Sequence, residues 1–193
     1  KTSLADIQTL TDSSRGLSVI QSLGNSAFVA VTSTLITVIV STLAGYAFAK
    51  LPFRGSRVVF FVTLVTFMIP FQAIITPLYL VLRDIGLQNN LVGVALVLAT
   101  LNLPLGIFMM RNTFAAIPAT LEEAAQLDGA SPWTAMTRVM LPIAVPGLVS
   151  TALLSFVNAW DDVFATLVLI THPSLFTLPV SIVIPSADRS ERT

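Results

Sequence analysis

The stretch SAFVAVTSTLITVIVSTLAGYAFA, residues 26–49, contains no charged side chain. Three further runs, residues 58–82, 85–110 and 139–160, are equally free of Asp, Glu, Lys and Arg. A helix needs about 20 mostly apolar residues to cross a hydrocarbon core of roughly 30 Å. Because unpaired backbone amides are costly in lipid, such runs favour helices over extended chain. The sequence therefore predicts an all-α integral membrane protein with four membrane helices.

The composition supports this fold class and excludes others. Of the 193 residues, 54% are hydrophobic and 10% charged, and ten basic residues balance ten acidic ones. A soluble domain carries about 25% charged residues. No cysteine is present, which excludes disulfides, thiolate metal sites and a cysteine nucleophile, and the single His172 cannot build a multi-histidine site. We therefore expect no metal and no cofactor bound by this chain.

Basic residues in the short loops predict the orientation. Five of them fall in two loops, Lys50, Arg54 and Arg57 in one and Arg111 and Arg138 in the other, whereas the loop between the second and third helices holds only Arg83. Residues 50–57 and 111–142 are therefore expected to be cytoplasmic, and both ends of the chain extracytoplasmic. An outside start without an insertion signal suggests a fragment lacking a helix at its beginning, and the polar residues 186–193 suggest another missing beyond them.

The predicted organisation is one transmembrane domain in seven segments. They are an extracytoplasmic segment (1–25), three membrane helices (26–49, 58–82 and 91–112), a cytoplasmic hairpin (116–142), a fourth membrane helix (143–168) and an extracytoplasmic loop (171–193). The apolar stretch 163–184 is interrupted by prolines, which favours a loop or re-entrant piece, with a fifth span as the alternative. Prolines should also kink or break two of the helices, at Pro70 and Pro77 and at Pro142 and Pro146.

Residues 111–138 form the one long polar segment. Pro118 and Thr120, with Glu123 three positions after the threonine, predict a helix start with a capping box. Gly129 predicts a left-handed stop, and Ser131-Pro132 a second helix start that continues until Leu141-Pro142 bends into the fourth membrane helix. Helices bound to lipid surfaces are usually basic. The acidic first helix therefore suggests docking onto a basic protein partner, with plain helix capping as the alternative.

The spacing of this segment carries a resemblance. Glu123-Ala124-Ala125, three residues, Gly129, nine residues, Val139, one residue and Leu141-Pro142 resemble the EAA loop of binding-protein-dependent ABC importer permeases, with Val139 in place of isoleucine. Leu127-Asp128-Gly129-Ala130, Met68-Ile69-Pro70 and Thr177-Leu178-Pro179 resemble the carbohydrate-uptake branch and its maltose-type permeases. Trp160-Asp161-Asp162 resembles that group's Trp-Asn-Asp, with Asp161 as the departure. The resemblance covers nearly the whole chain.

The resemblance implies a type I importer fold of six helices, of which this chain would hold four. It implies a coupling helix that docks on cytoplasmic ATP-binding subunits, a second homologous permease subunit and an extracytoplasmic solute-binding protein that delivers the sugar. ATP and Mg²⁺ would be bound by the partner ATPase, since no G-x-x-x-x-G-K-[ST] motif is present. The implied ATPase-coupling residues are Glu122, Glu123, Ala124, Ala125, Asp128, Gly129, Leu141 and Pro142. Candidate contacts with the binding protein or sugar are Trp160, Asp161, Asp162, Leu178 and Pro179.

Three alternatives stay open at this point. The first is an importer permease for another solute, such as glycerol phosphate, a polyamine or phosphate. The second is an intramembrane aspartyl protease using Asp161 and Asp162, although neighbours on a helix point roughly 100° apart. The third is a passive channel. We also expect Ser33, Thr37, Ser41 and Gly45, which recur every four residues, to form a small-residue face for helix packing rather than a substrate path.

Overall fold

The computed structural model describes residues 4–51 and 53–183, with side chains described from Val19 onward. The helices are α1 (Leu4–Lys50), α2 (Ser56–Thr66), α3 (Phe71–Asp84), α4 (Leu91–Ala116), α5 (Ala119–Leu127), α6 (Pro132–Ala135), α7 (Leu141–Trp160) and α8 (Phe164–Leu169). A π-helical turn (Met136–Met140) joins α6 to α7. A 3₁₀ turn (Pro173–Leu175) and a helix over 178–183 complete the part of the chain described. The expected features of 184–193 lie outside the described residues.

Within the described residues, three helical stretches are long and apolar enough to cross a membrane: Val19–Lys50, Leu91–Ala116 and Pro132–Trp160. A fourth span results if α2 and α3 count as one bent pair. Large hydrophobic side chains such as Ile39, Phe61 and Leu153 are exposed on these stretches, as lipid-facing residues are. The predicted all-α membrane fold is confirmed.

The single helix expected over 58–82 is instead two helices at an angle of 99°. Just before the break the helical turns are tighter than in an α-helix. The N–H groups of Phe67, Met68 and Ile69 donate to carbonyls three residues back instead of four. Pro70 then lacks an N–H to continue the ladder and takes the N-cap position of α3 with an extended ψ of 131°. A break at Pro70 agrees with the sequence, whereas α3 continues through Pro77.

The helix does not break at Leu141-Pro142, where a bend was expected, and the helical path continues from Pro132 to Trp160. The π-helical turn accounts for this difference. The N–H of Leu141 donates to the carbonyl of Met136, five residues back. A widened turn just before Pro142 accommodates the proline ring without ending the helix. Pro146 likewise lies inside α7.

The fourth membrane helix was expected to reach residue 168 but α7 ends at Trp160. Residues 161–163 interrupt the helix, and α8 begins at Phe164. The stretch 163–184 is therefore a short helix, a 3₁₀ turn and a further helical piece over 178–183 where it is described. At the other end of the chain, α1 extends upstream of the expected start at Ser26, to Leu4.

The small-residue face of α1 packs against α4, as the sequence predicts. Ser33, Thr37 and Ser41 are at most 1% exposed. A Cβ added to Gly45 would lie 2.6 Å from the Cβ of Met110, and one added to Gly106 would lie 3.1 Å from the Cβ of Ser41. Helices that approach this closely require small residues on both faces.

One end of the bundle, here called the basic end, collects five cations. Lys50 contacts the end of α4 through Ile117, and Arg111 lies 4.4 Å over the ring of Phe60 in α2. The residues of the basic end with positive charge are Lys50, Arg54, Arg57, Arg111 and Arg138. At the opposite end of the bundle, Asn25 of α1 contacts the loop before residue 178. Its side-chain amide donates to the carbonyls of Ser174 and Phe176.

Candidate functional site

The acidic segment at the basic end folds as a helix followed by a sharp turn. Helix α5 ends at Leu127, and Gly129, two residues later, has a φ of +83°. The N–H of Gly129 donates to Gln126 and that of Ala130 donates to Ala125, at 3.0 and 2.9 Å. These two bonds form a Schellman motif, which requires a left-handed residue at the glycine position. The predicted glycine stop is confirmed.

The start of α5 differs from the prediction. Thr120 lies inside the helix, Pro118 takes the N-cap position, and no side chain caps the helix. The capping box between Thr120 and Glu123 is therefore wrong, because the proline moves the helix start two residues earlier. The next start is as predicted: Ser131 Oγ accepts a hydrogen bond from the Thr134 N–H at 3.2 Å, and Pro132 occupies the first turn of α6.

The two neighbouring glutamates of α5 point in different directions. Glu122 is buried, with 7% of its surface exposed, and its Oε1 accepts a hydrogen bond from the Tyr46 hydroxyl at 2.7 Å. Glu123 is exposed. Adjacent helical positions lie roughly 100° apart, which allows one carboxylate to be buried while the other is exposed. Glu122, which we expected to contact the ATPase, instead faces the bundle interior.

The outer surface of α5 and its turn combines charge with exposed apolar side chains. Ala124, Asp128 and Gly129 are exposed beside Glu123, and Ala125 is half-buried. Leu127 is 89% exposed and Trp133, just after the turn, is 63% exposed. An exposed tryptophan and leucine beside a carboxylate are typical of a surface that binds another protein. We call this surface (Glu123, Ala124, Leu127, Asp128 and Trp133) the α5 surface.

The last two residues assigned to coupling lie away from that turn. Leu141 is half-buried and packs against a core cluster that includes Met110, Met136 and Met140. Pro142 is exposed in the first turn of α7, directly after the π-helical turn. Their geometry is that of residues which shape the path between α6 and α7.

The last turn of α1 contributes two contacts that the sequence analysis missed. The Tyr46 hydroxyl reaches Glu122, and Lys50 Nζ donates to the carbonyl of Ile117 at 2.7 Å. Ile117 caps the end of α4, where carbonyl groups lack helical partners. The sequence did contain a signal for these contacts: Tyr46 and Lys50 are polar, lie four residues apart and end an apolar run, which places them on the same helix face.

The Trp160-Asp161-Asp162 sequence lies at the opposite end and forms a helix boundary. The ring of Trp160 stacks on Phe156 with centroids 5.6 Å apart. Asp162 Oδ2 accepts hydrogen bonds from the N–H groups of Ala165 and Thr166, at 3.0 and 3.2 Å, and so caps α8. Burial raises the pKa of Asp162 above its ordinary value, and these two backbone bonds oppose that shift. Asp161 is exposed.

Leu178 and Pro179 begin the helical piece over 178–183, which side chains fasten to the same end of the bundle. The Leu178 N–H donates to Ser26 Oγ at 2.8 Å, and Pro179 is half-buried. Asn89 Oδ1 accepts from both the N–H and the hydroxyl of Thr171, at 2.6 and 2.7 Å. The structure thus gives these two candidate contact residues a fixed backbone. Asn89 was a further residue that sequence reasoning missed.

The described residues offer little for metal or catalytic chemistry. Among them, no group of three or more His, Cys, Asp or Glu side chains could hold a metal ion. Of the two adjacent aspartates, Asp162 is engaged by backbone N–H groups of α8.

A polar pair links two of the membrane-spanning stretches, α4 and α7: the Asn158 side-chain amide donates to Asn102 Oδ1 at 3.1 Å.

Comparison with known proteins is consistent with this arrangement. Residues 38–188 match the family described as the binding-protein-dependent transport system inner membrane component. The trehalose transport system permease protein SugB of Mycobacterium tuberculosis is 39% identical over 158 residues, which cover 82% of this chain and 58% of that protein. The sulfoquinovosyl glycerol transport system permease protein SmoH of Agrobacterium fabrum is 34% identical over 82% of this chain and 55% of its own length.

A solved structure also matches. It is the crystal structure of a bacterial ABC transporter involved in the import of the acidic polysaccharide alginate, with a TM-score of 0.75 and 30% sequence identity over 88% of this chain and 58% of that chain. The present chain thus spans a little over half the length of these proteins. The family match covers most of the chain and includes the α5 surface. This multi-pass membrane chain belongs to the family of binding-protein-dependent transport system inner membrane components.

Proposed function

We propose that the chain is part of a permease subunit of an ATP-dependent ABC importer for carbohydrates. The relatives that support this proposal are named for transport of trehalose and sulfoquinovosyl glycerol, and the solved relative for import of alginate. All three names refer to sugars or sugar derivatives. The substrate class proposed here is therefore a sugar or a sugar derivative.

The observation that carries the coupling role is the α5 surface. Glu123 is exposed on a short helix set between two bends of the backbone, with Leu127 and Trp133 exposed beside it. The small Ala124 beside Glu123 permits close approach, and a carboxylate can pair with an arginine of the partner. In this proposal α5 docks on a cytoplasmic ATPase subunit, and ATP-driven movement of that subunit shifts α5 and switches the bundle between inward- and outward-facing states.

The orientation follows from the basic end, which carries Lys50, Arg54, Arg57, Arg111 and Arg138. We assign this end, with residues 50–57 and 111–142, to the cytoplasm by the positive-inside rule. The opposite end then faces outward, with Trp160, Asp161, Asp162, Leu178 and Pro179 as the candidate contact region for a solute-binding protein or the sugar. A second, homologous permease subunit completes the pathway.

Reconstitution in proteoliposomes tests the function. The full-length protein, its ATPase, the second permease and the cognate binding protein are assembled, and uptake is measured for a disaccharide, an acidic oligosaccharide, glycerol phosphate and a polyamine. We expect ATP-dependent uptake of a carbohydrate. ATP-dependent uptake of glycerol phosphate or the polyamine alone would contradict the substrate class, and uptake that proceeds without ATP would contradict the importer mechanism in favour of a channel.

A further inference from the structure

Tyr46 of α1 touches both helices of the hairpin at once. Its hydroxyl donates to Glu122 Oε1 of α5 at 2.7 Å and lies 3.4 Å from the carbonyl of Pro132, the first residue of α6. Its ring packs edge-on against Phe114 of α4, with centroids 5.5 Å apart and planes at 80°. Tyr46 is 3% exposed, so this contact is shielded from water.

The remaining attachments of α5 are two backbone turns and its packing against neighbouring helices. The helix follows Ile117, whose extended backbone (ψ 127°) ends α4, and it precedes the left-handed Gly129. No side chain caps its start. Its main packing partners are α6 and the π-helical turn. The buried bond from Glu122 to Tyr46 is therefore a direct link between α5 and a membrane-spanning helix.

A second bond from the same turn of α1 fixes the segment before α5. Lys50 lies four residues after Tyr46 and thus on the same helix face. Its ammonium donates to the carbonyl of Ile117, at the junction of α4 and α5. Two hydrogen bonds from the last turn of α1 thus hold the segment before α5, at Ile117, and the first turn of α5, at Glu122.

Separation of α5 from α1 would break the hydrogen bond between Tyr46 and Glu122 and open its buried surroundings to water, which costs free energy. We propose that Tyr46 is a positioning residue that transmits displacement of α5 to α1 through Glu122. Because α1 packs closely on α4 through Thr37, Ser41 and Gly45, the movement passes from α1 to a second membrane helix. This inference rests on the proposed function, and it names the contacts through which displacement of the α5 surface is transmitted to the membrane helices.

The test compares the only two tyrosines of the chain. Tyr46→Phe removes the hydroxyl that binds Glu122, and the matched control Tyr79→Phe removes a hydroxyl that binds Gln88 at the opposite end of the bundle. Each variant is assayed in the complete transporter for sugar uptake per ATP hydrolysed. Co-purification of the ATPase reports assembly.

We expect Tyr46→Phe to lower uptake per ATP about ten-fold, the factor that a hydrogen bond to a charged group typically contributes. The ATPase should still co-purify, and Tyr79→Phe should behave as wild type. Glu122→Ala should reproduce the loss. Glu122→Gln, which keeps an acceptor oxygen for the tyrosine, should restore most of the coupling. Glu122→Ala leaves Tyr46 and its packing in place, so it tests the same bond if Tyr46→Phe does not assemble.

A double variant distinguishes a shared path from two separate roles. If Tyr46 acts through Glu122, adding Tyr46→Phe to Glu122→Ala causes no further loss. An equal additional loss, or wild-type uptake per ATP in Tyr46→Phe, would overturn the inference. Absence of ATP-dependent sugar uptake in the wild-type transporter would instead refute the proposed function, so the two failures are distinguishable.

Discussion

Gly45 offers the sharpest test of how α1 and α4 pack. An added Cβ would lie 2.6 Å from Met110 Cβ, 2.8 Å from the Arg111 backbone nitrogen and 2.9 Å from the Met110 carbonyl carbon. None of these atoms is the end of a flexible side chain. The helices would have to separate by about 0.8 Å to reach the ordinary contact distance of 3.4 Å. Overpacking of this kind typically costs about 1–3 kcal/mol.

Gly24 provides the matched control, because it lies in the same helix and an added Cβ would meet nothing within 4 Å. Both substitutions to alanine gain the same helix propensity, up to about 1 kcal/mol. Gly45→Ala should therefore unfold at lower denaturant than Gly24→Ala, with a difference of about 1–3 kcal/mol. Denaturant titration of the purified full-length protein in detergent measures this. Equal stability of the two variants would refute the close packing of α1 on α4.

Two further predictions concern the hairpin and the outward end. Gly129→Ala should destabilise the folded hairpin by about 1–2 kcal/mol, because the φ of Gly129, +83°, is left-handed. Gly129→Asn should cost less, since asparagine tolerates that conformation. Thermal unfolding with co-purification of the ATPase measures both variants, and equal stabilities would contradict the Schellman turn. The pKa of Asp162 is raised in the folded state by burial, so the folded state binds more protons than the unfolded one just above the ordinary carboxyl pKa. Stability from this group is then present at low pH and lost as pH rises through the raised pKa. Asp162→Asn should remove that part of the pH dependence of the melting temperature, and an unchanged pH profile would contradict the shift.

Features of the hairpin that depend on neighbours in sequence were predictable. Gly129 forms the left-handed turn after α5 and Ser131 caps α6, because glycine and serine serve these local roles in most sequence contexts. The apolar runs predicted the membrane spans because they too are a property of neighbouring residues in the sequence. The prediction of where α5 starts was wrong because Pro118 and Thr120 are both acceptable helix starts. Which of the two is used depends on how the chain leaves α4.

Features that depend on distant contacts were not predictable. Glu122 and Glu123 are identical in type and adjacent, and the contact that separates their roles comes from Tyr46, 76 positions away. The prolines show the same limit. Pro70 lies at the break before α3, whereas Pro77 and Pro146 lie within helices. We attribute this difference to how α3 packs against α4 and α8 and to how α7 packs against α1 and α4.

Glu123 is the proposed docking contact, and reversal of its charge is the most direct test of that role. Glu123→Lys is compared in the complete transporter with Asp84→Lys, an exposed acid-to-base change at the opposite end of the bundle. Co-purification of the ATPase and sugar uptake per ATP are measured in parallel. We expect Glu123→Lys to release or uncouple the ATPase, and Asp84→Lys to leave both co-purification and uptake per ATP unchanged. Wild-type assembly and uptake in Glu123→Lys would contradict it.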